Sequence, residues 1–140
     1  AGLATACDLV LATDEARLGY PEVKLGFVPA MVMAILRRSV GEKRAFELVA
    51  LGEAIGAAEA ERYGLFNRVF AASSFEADAG EFLEALASRS ASALKLSKRL
   101  LYEIDGATFE EAIEAGAQVN VVARQTEDCQ AGIRRFLERK

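Results

Sequence analysis

The chain has 140 residues, room for one domain or slightly more. With 52% hydrophobic and 27% charged residues it is no disordered tail, and a net charge of −4 leaves no basic field for holding nucleic acid. Histidine is absent, which excludes His-based triads, His-ligated metals and histidine general bases together.

The chain opens Ala1-Gly2-Leu3-Ala4-Thr5-Ala6-Cys7-Asp8, helix-forming from the first position and without Met, as expected of a chain cut off upstream. Asp8–Ala12 reads as a short buried strand ended by Thr13-Asp14-Glu15. Arg17–Tyr20 reads as a second strand, broken by Pro21. Gly26-Phe27-Val28 is loop, and Pro29 suits the first position of a helix that stops before Gly41. That helix is nearly all apolar for two turns and is expected to be buried on most sides, with Met31 and Met33 filling core. Its longest apolar run, Ala30–Leu36, is far below the roughly 18 residues of a membrane span.

Glu42–Leu51 forms the next helix, with Ala45, Leu48, Val49 and Leu51 facing inward and Gly52 beyond its end. Ala57–Tyr63 is a short helix closed by Gly64, and Leu65–Phe70 a strand. Strands and helices together imply an α/β layer. From Ser74 the pattern is helical only. Ser74 caps a helix with Phe75, Phe82, Leu83 and Leu86 inside, and Ser90–Tyr102 forms the next. Thr108-Phe109-Glu110-Glu111 has capping-box spacing, opening a helix that turns Ile113, Ala117, Val121 and Ala123 inward. Thr126 opens the last, with Ile133, Phe136 and Leu137 on one face. Cys7 and Cys129 form no CxxC pair and point to a reducing, cytoplasmic setting; the net charge and the short apolar run lead us to expect no nucleic-acid and no membrane partner.

The chemistry therefore rests on carboxylates, backbone dipoles or lysines. Glu22, just past a strand end and flanked by Tyr20 and Val23, is a partly desolvated carboxyl suited to acid–base work. The plainer alternative is a surface glutamate paired with Lys24 or Arg17. The helix start at Pro29-Ala30-Met31-Val32 offers N–H groups to a water or a carbonyl oxygen, although every helix has such an end. Lys95, Lys98 and Arg99 share one face and could meet a phosphate, as could Arg134-Arg135 and Arg139-Lys140; a solvated polar face explains each more simply.

Five stretches in order carry a family resemblance. They are Ala6-Cys7-Asp8 through Ala12; Leu18-Gly19-Tyr20-Pro21-Glu22-Val23-Lys24-Leu25-Gly26-Phe27-Val28-Pro29; Gly41–Leu48; Ala58–Val69; and a tail in two parts, Ser92–Lys98 and Thr126–Glu138. Together they resemble the crotonase superfamily, the enoyl-CoA hydratase and isomerase family, over nearly the whole chain. The resemblance implies an α/β fold: residues 1–72 as the last turns of a strand-strand-helix spiral, and 73–140 as a helical oligomerisation region giving a trimer or dimer of trimers. It implies an acyl-CoA thioester as substrate and no separate cofactor or metal. Of the family's two catalytic glutamates, one maps onto Glu22 and the other onto Gly2, which has no side chain. The oxyanion-hole donors, each worth roughly 2.7–4 kcal/mol, map upstream of Ala1, so the chain alone is expected to be nearly inert. The glycine-rich stretch after the signature proline is replaced by Ala30-Met31-Val32-Met33-Ala34, which narrows the acyl pocket. Pro29 and Ala30 then lie where a hydratase holds its water, and Phe136 and Arg139 where the family reaches the CoA nucleotide. The resemblance favours hydration of a 2-enoyl-CoA, of the branched methylglutaconyl type, ahead of 3-enoyl to 2-enoyl isomerisation by one glutamate, with a non-catalytic homologue third.

Overall fold

A computed structural model describes residues 1–138. In chain order its elements are α1 (Gly2–Thr5), β1 (Leu11–Thr13), β2 (Arg17–Leu18), a 3₁₀ turn (Pro21–Leu25), α2 (Ala30–Leu51), β3 (Ile55–Gly56), α3 (Ala57–Tyr63), β4 (Arg68–Phe70), α4 (Phe75–Ala87), α5 (Ala91–Glu103), α6 (Phe109–Arg124) and α7 (Glu127–Glu138). They form two compact units, residues 1–81 and the residues from Phe82 on, divided within α4.

In the first unit β1 and β4 pair in parallel, Ala12 opposite Val69, across a connection that carries α2 and α3. β2 and β3 pair antiparallel, Leu18 opposite Ile55. The strands are shorter than the sequence suggests, for local reasons. The Val10 N–H goes to the Asn67 side chain at 2.7 Å, so the regular β1–β4 ladder starts only at Leu11. β2 stops before Gly19, where a Cβ would stand 3.0 Å from Ala54 Cα, and Pro21 has no N–H to extend it. β3 is two residues long and carries no alternation by which the sequence reveals it.

The core gathers on Tyr20 and Leu36, the largest fully buried side chains, with Ala45, Leu48, Val49 and Phe66 around them. α2 consists of two helical arms joined at Gly41, whose φ of 74° and ψ of 168° suit only glycine. The break falls where the sequence puts it. The first arm, however, is not buried on most sides. Only Leu36 is fully buried there, Val32, Met33 and Val40 pack partly against the core, and Met31 is 87% exposed. The core lies along one side of this arm, so a helix repeat turns only about every fourth residue toward it. Leu51 likewise faces outward, whereas Ala45, Leu48 and Val49 face in.

In the second unit no residue from 82 to 138 is fully buried. Ser90 caps α5, its hydroxyl accepting from Ala93 N–H at 3.1 Å, and Thr108 with Glu111 completes the capping box of α6. The inward stripe of α6 is Ala112, Ala115, Gly116, Val119 and Ala123, not the expected one: Ile113, Ala117 and Val121 are exposed. Small residues allow close helix approach, so the larger ones point away. Leu83, Ile133, Phe136 and Leu137 are exposed as well.

Candidate functional site

Glu22 owes its place to the turn that holds it. Pro21 presets the backbone for the first helical position, and the turn closes through Gly26 N–H to Val23 O at 3.0 Å and Phe27 N–H to Glu22 O at 2.9 Å. Gly26 takes a φ of 73°, which reverses the chain toward Pro29. The Glu22 side chain is half-buried, and its Oε2 is fully buried without a hydrogen-bond partner. The surface-pair alternative does not hold. Lys24 bridges to Glu53 at 2.9 Å, and Arg17 donates to the Ala54 carbonyl at 2.9 Å. A buried carboxylate oxygen without a donor is costly to keep and is the kind of group a substrate or water completes.

Below this turn lies a buried hydroxyl pair. Tyr20 is 1% exposed and Thr5 8%, and their oxygens are 2.6 Å apart. The Thr5 hydroxyl donates to Ala1 O at 3.0 Å. Burial pushes the Tyr20 phenol pKa up; the Thr5 bond pulls it back in part, and the negative charge of Glu22 adds to the rise. One turn of α1 away from Thr5, Gly2 meets α2. A Cβ at position 2 would stand 2.8 Å from Val32 Cγ2, closer than carbon atoms pack. The position that the family resemblance assigns to a second carboxylate is thus closed by a valine methyl.

Pro29 is buried and precedes α2 rather than opening it, and its carbonyl accepts from Met33. Ala30 is exposed, but its N–H is bonded to Val28 O at 2.8 Å and is not open to a ligand. Phe136 stands 71% exposed on α7, in the second unit, and Arg139 lies outside the described residues. Arg99, one of the candidate phosphate cations, is tied to Glu103 at 2.6 Å. Sequence reasoning singled out Glu22 and Gly2 but not the roles of Thr5, Tyr20 and Val32. Their contacts span 15 and 30 positions, beyond any local spacing rule.

A cleft elsewhere in the first unit, of about 90 Å³, is lined by Leu48, Leu51, Ile55 and five polar side chains, Arg44, Glu47, Glu53, Glu59 and Tyr63. Arg44 lies 4.0 Å over the Tyr63 ring and pairs with Glu47, and Tyr63 donates to Glu59. Each charge there already has a partner. Among the described residues no cluster of His, Cys, Asp and Glu could hold a metal ion, and no helix is long and apolar enough to cross a membrane.

The family model described as "Enoyl-CoA hydratase/isomerase" matches residues 1–140. The chain belongs to the enoyl-CoA hydratase/isomerase family. It is 43% identical, over its full length, to a putative enoyl-CoA hydratase of Thermus thermophilus, covering 55% of that protein. It is 33% identical over 139 residues to the 2,3-dehydroadipyl-CoA hydratase of Escherichia coli, covering 99% of this chain and 54% of that one. Among solved structures, an enoyl-CoA hydratase of Mycobacterium smegmatis superposes with a TM-score of 0.93 at 27% identity, over 99% of this chain and 54% of the other. The crotonase-like α/β fold implied by the sequence is therefore the fold of this chain. The chain spans about half the length of the curated relatives it matches.

Proposed function

We propose that this chain carries the acid–base carboxylate of an enoyl-CoA hydratase, which adds water across the double bond of a 2-enoyl-CoA. The single observation behind the reading is Glu22 Oε2, buried and unpartnered in a turn ordered at both ends. In the reaction Glu22 takes a proton from water as the water oxygen bonds to Cβ. The electron pair of the double bond moves toward the thioester carbonyl, and the proton is returned at Cα. The CoA thioester is substrate, and the reading calls on no resident cofactor. Relatives named as hydratases support this reaction class, and the resemblance of Gly2 and the bulky Val28-Pro29-Ala30-Met31 loop to hydratases of the branched methylglutaconyl type extends the proposal to that acyl group.

Phe136, exposed on the last helix, is the proposed contact for the CoA adenine. The exposed apolar side chains of α6, Phe109, Ile113 and Val121, support assembly into a homotrimer. The test of the reaction is Glu22→Gln in the natural protein beside the exposed control Glu84→Gln, followed by loss of the enoyl-thioester absorbance of crotonyl-CoA. Turnover is expected to fall at least about a hundredfold for Glu22→Gln and to stay unchanged for the control. Equal rates in all three proteins refute the reading.

One observation favours a second reading. Because Val32 closes the space at Gly2, a single carboxylate is at hand, which suffices for 3-enoyl to 2-enoyl-CoA isomerisation by proton removal and return. Conversion of a 3-enoyl-CoA without water addition would select this reading over hydration.

A further inference from the structure

The turn that bears Glu22 rests on the segment that ends α2. Gly52 closes that helix with a φ of 60°, and both Val23 and Lys24 lie across it. A Cβ at position 52 would stand 3.1 Å from Val23 Cγ2, 3.3 Å from Lys24 Cε and 3.4 Å from Lys24 Cγ. The Lys24 stem runs on over Gly52 to Glu53, with which it pairs at 2.9 Å. Ahead of the turn the approach is as close. A Cβ at Gly19 would stand 3.0 Å from Ala54 Cα and 3.1 Å from Glu53 O, and Arg17 donates to the Ala54 carbonyl at 2.9 Å. Residues 17–24 thus meet residues 52–54 before and after Glu22 in the chain, at two positions where a side chain is crowded.

We propose that Gly19 and Gly52 are positioning residues for Glu22: their bare backbones set how closely the turn approaches residues 52–54, and with it where the carboxylate stands. The inference rests on the reading of Glu22 as the acid–base group. Glu22 Oε2 has no hydrogen bond to hold it, so the place of the turn decides the place of that oxygen. A displacement at Val23 reaches Glu22 directly. The two residues are adjacent, and the turn is closed by Gly26 N–H to Val23 O at 3.0 Å and Phe27 N–H to Glu22 O at 2.9 Å. The Lys24–Glu53 pair is exposed and holds the turn only weakly, so the close approach at the glycines sets the position. Carbon atoms pack best at about 3.5–4.0 Å, which leaves a methyl at position 52 short of room by about 0.4 Å or more. Val23 is β-branched and yields little by rotation, so the turn itself must shift. A misplacement of about 1 Å costs about a hundredfold in rate, and a shift of about half that size is expected to cost roughly tenfold.

The experiment measures kcat and KM for crotonyl-CoA hydration in the natural protein and its variants, per folded molecule, with the folded fraction read by circular dichroism. Gly52→Ala is expected to lower kcat about tenfold with KM held. Gly64→Ala is the matched control and is expected to keep the wild-type kcat. Gly64 also ends its helix at a positive φ, 83°, but the nearest atom to a Cβ there is Ser39 O at 3.8 Å, so the substitution strains the backbone and crowds nothing. Val23→Ala in the Gly52→Ala background removes the opposing methyls and is expected to return kcat to that of Val23→Ala alone. Gly19→Ala, at a position without positive φ, is expected to lower kcat as Gly52→Ala does. Gly52→Asn carries the same Cβ at a smaller backbone cost and is read in place of Gly52→Ala should that variant not fold. An unchanged kcat in Gly52→Ala or Gly19→Ala, an equal loss in Gly64→Ala, or a loss that Val23→Ala does not relieve overturns the proposal. Glu22→Gln runs alongside. If it keeps wild-type turnover, the acid–base reading itself falls; if it loses turnover while Gly52→Ala keeps it, only the positioning role falls.

Discussion

Adding one methyl at position 2 tests the contact that shapes this site. An ideal Cβ there lies 2.8 Å from Val32 Cγ2, whereas carbon atoms pack best at about 3.5–4.0 Å. The gap is short by about 0.7 Å or more, so Val32 or the α1 backbone must move in Gly2→Ala. Overpacking of this kind costs about 1–3 kcal/mol. Against it stands a helix-propensity gain of at most about 1 kcal/mol for replacing glycine in α1. The net expectation is a loss of up to about 2 kcal/mol. Val32→Ala removes the opposing methyls at a cost of about 0.8 kcal/mol per buried carbon, reduced because Val32 is only partly buried. In that background Gly2→Ala keeps its propensity gain and meets nothing, so the double variant is expected to be more stable than Val32→Ala. The cycle should return a coupling of about 1–3 kcal/mol, read from urea midpoints at constant slope in the natural protein. If Gly2→Ala raises the midpoint equally beside valine and beside alanine, the closed position is not closed, and the argument for a single carboxylate fails.

Two further outcomes are expected from the structure. Asp128 Oδ2 accepts from the Ser90 hydroxyl at 2.6 Å, the Ser92 hydroxyl at 2.7 Å and the Ser92 N–H at 3.1 Å, and these bonds hold its pKa below the ordinary value of 3.8. A folded-state pKa below the unfolded one stabilises the protein above the unfolded value, and this stabilisation is lost as pH falls through the folded value. Asp128→Asn should thus melt lower than wild type at pH 7, with the difference shrinking below about pH 4; a difference that persists at pH 2 would refute the role. Gly41→Ala forces a Cβ into φ 74° and ψ 168° and should cost about 1–3 kcal/mol in thermal unfolding, and an unchanged midpoint would refute the strain argument.

Local chemistry was legible in the sequence wherever neighbours in the chain decide it. Pro21 and Gly26 bound the turn that bears Glu22, Gly41 breaks α2, Gly52 and Gly64 end their helices, and Thr108 with Glu111 caps α6. The order of motifs was legible too, and with it the family. Which side of an apolar helix turns inward was not, because a helix such as α2 or α6 carries apolar residues on more than one face. In α6 the small side chains won the interior since they permit closer approach, leaving Ile113 and Val121 outside.

The sequence by itself determined that, in a chain without histidine, Glu22 would sit in a turn bounded by Pro21 and Gly26, since composition and turn residues are properties of the chain alone. Tertiary structure alone decided what surrounds that glutamate. Thr5 reaches Tyr20, Val32 fills the space at Gly2, and Lys24 and Arg17 find other partners, through contacts between distant segments. Whether a buried oxygen finds a donor depends on where those segments pack, and no spacing along the chain encodes it.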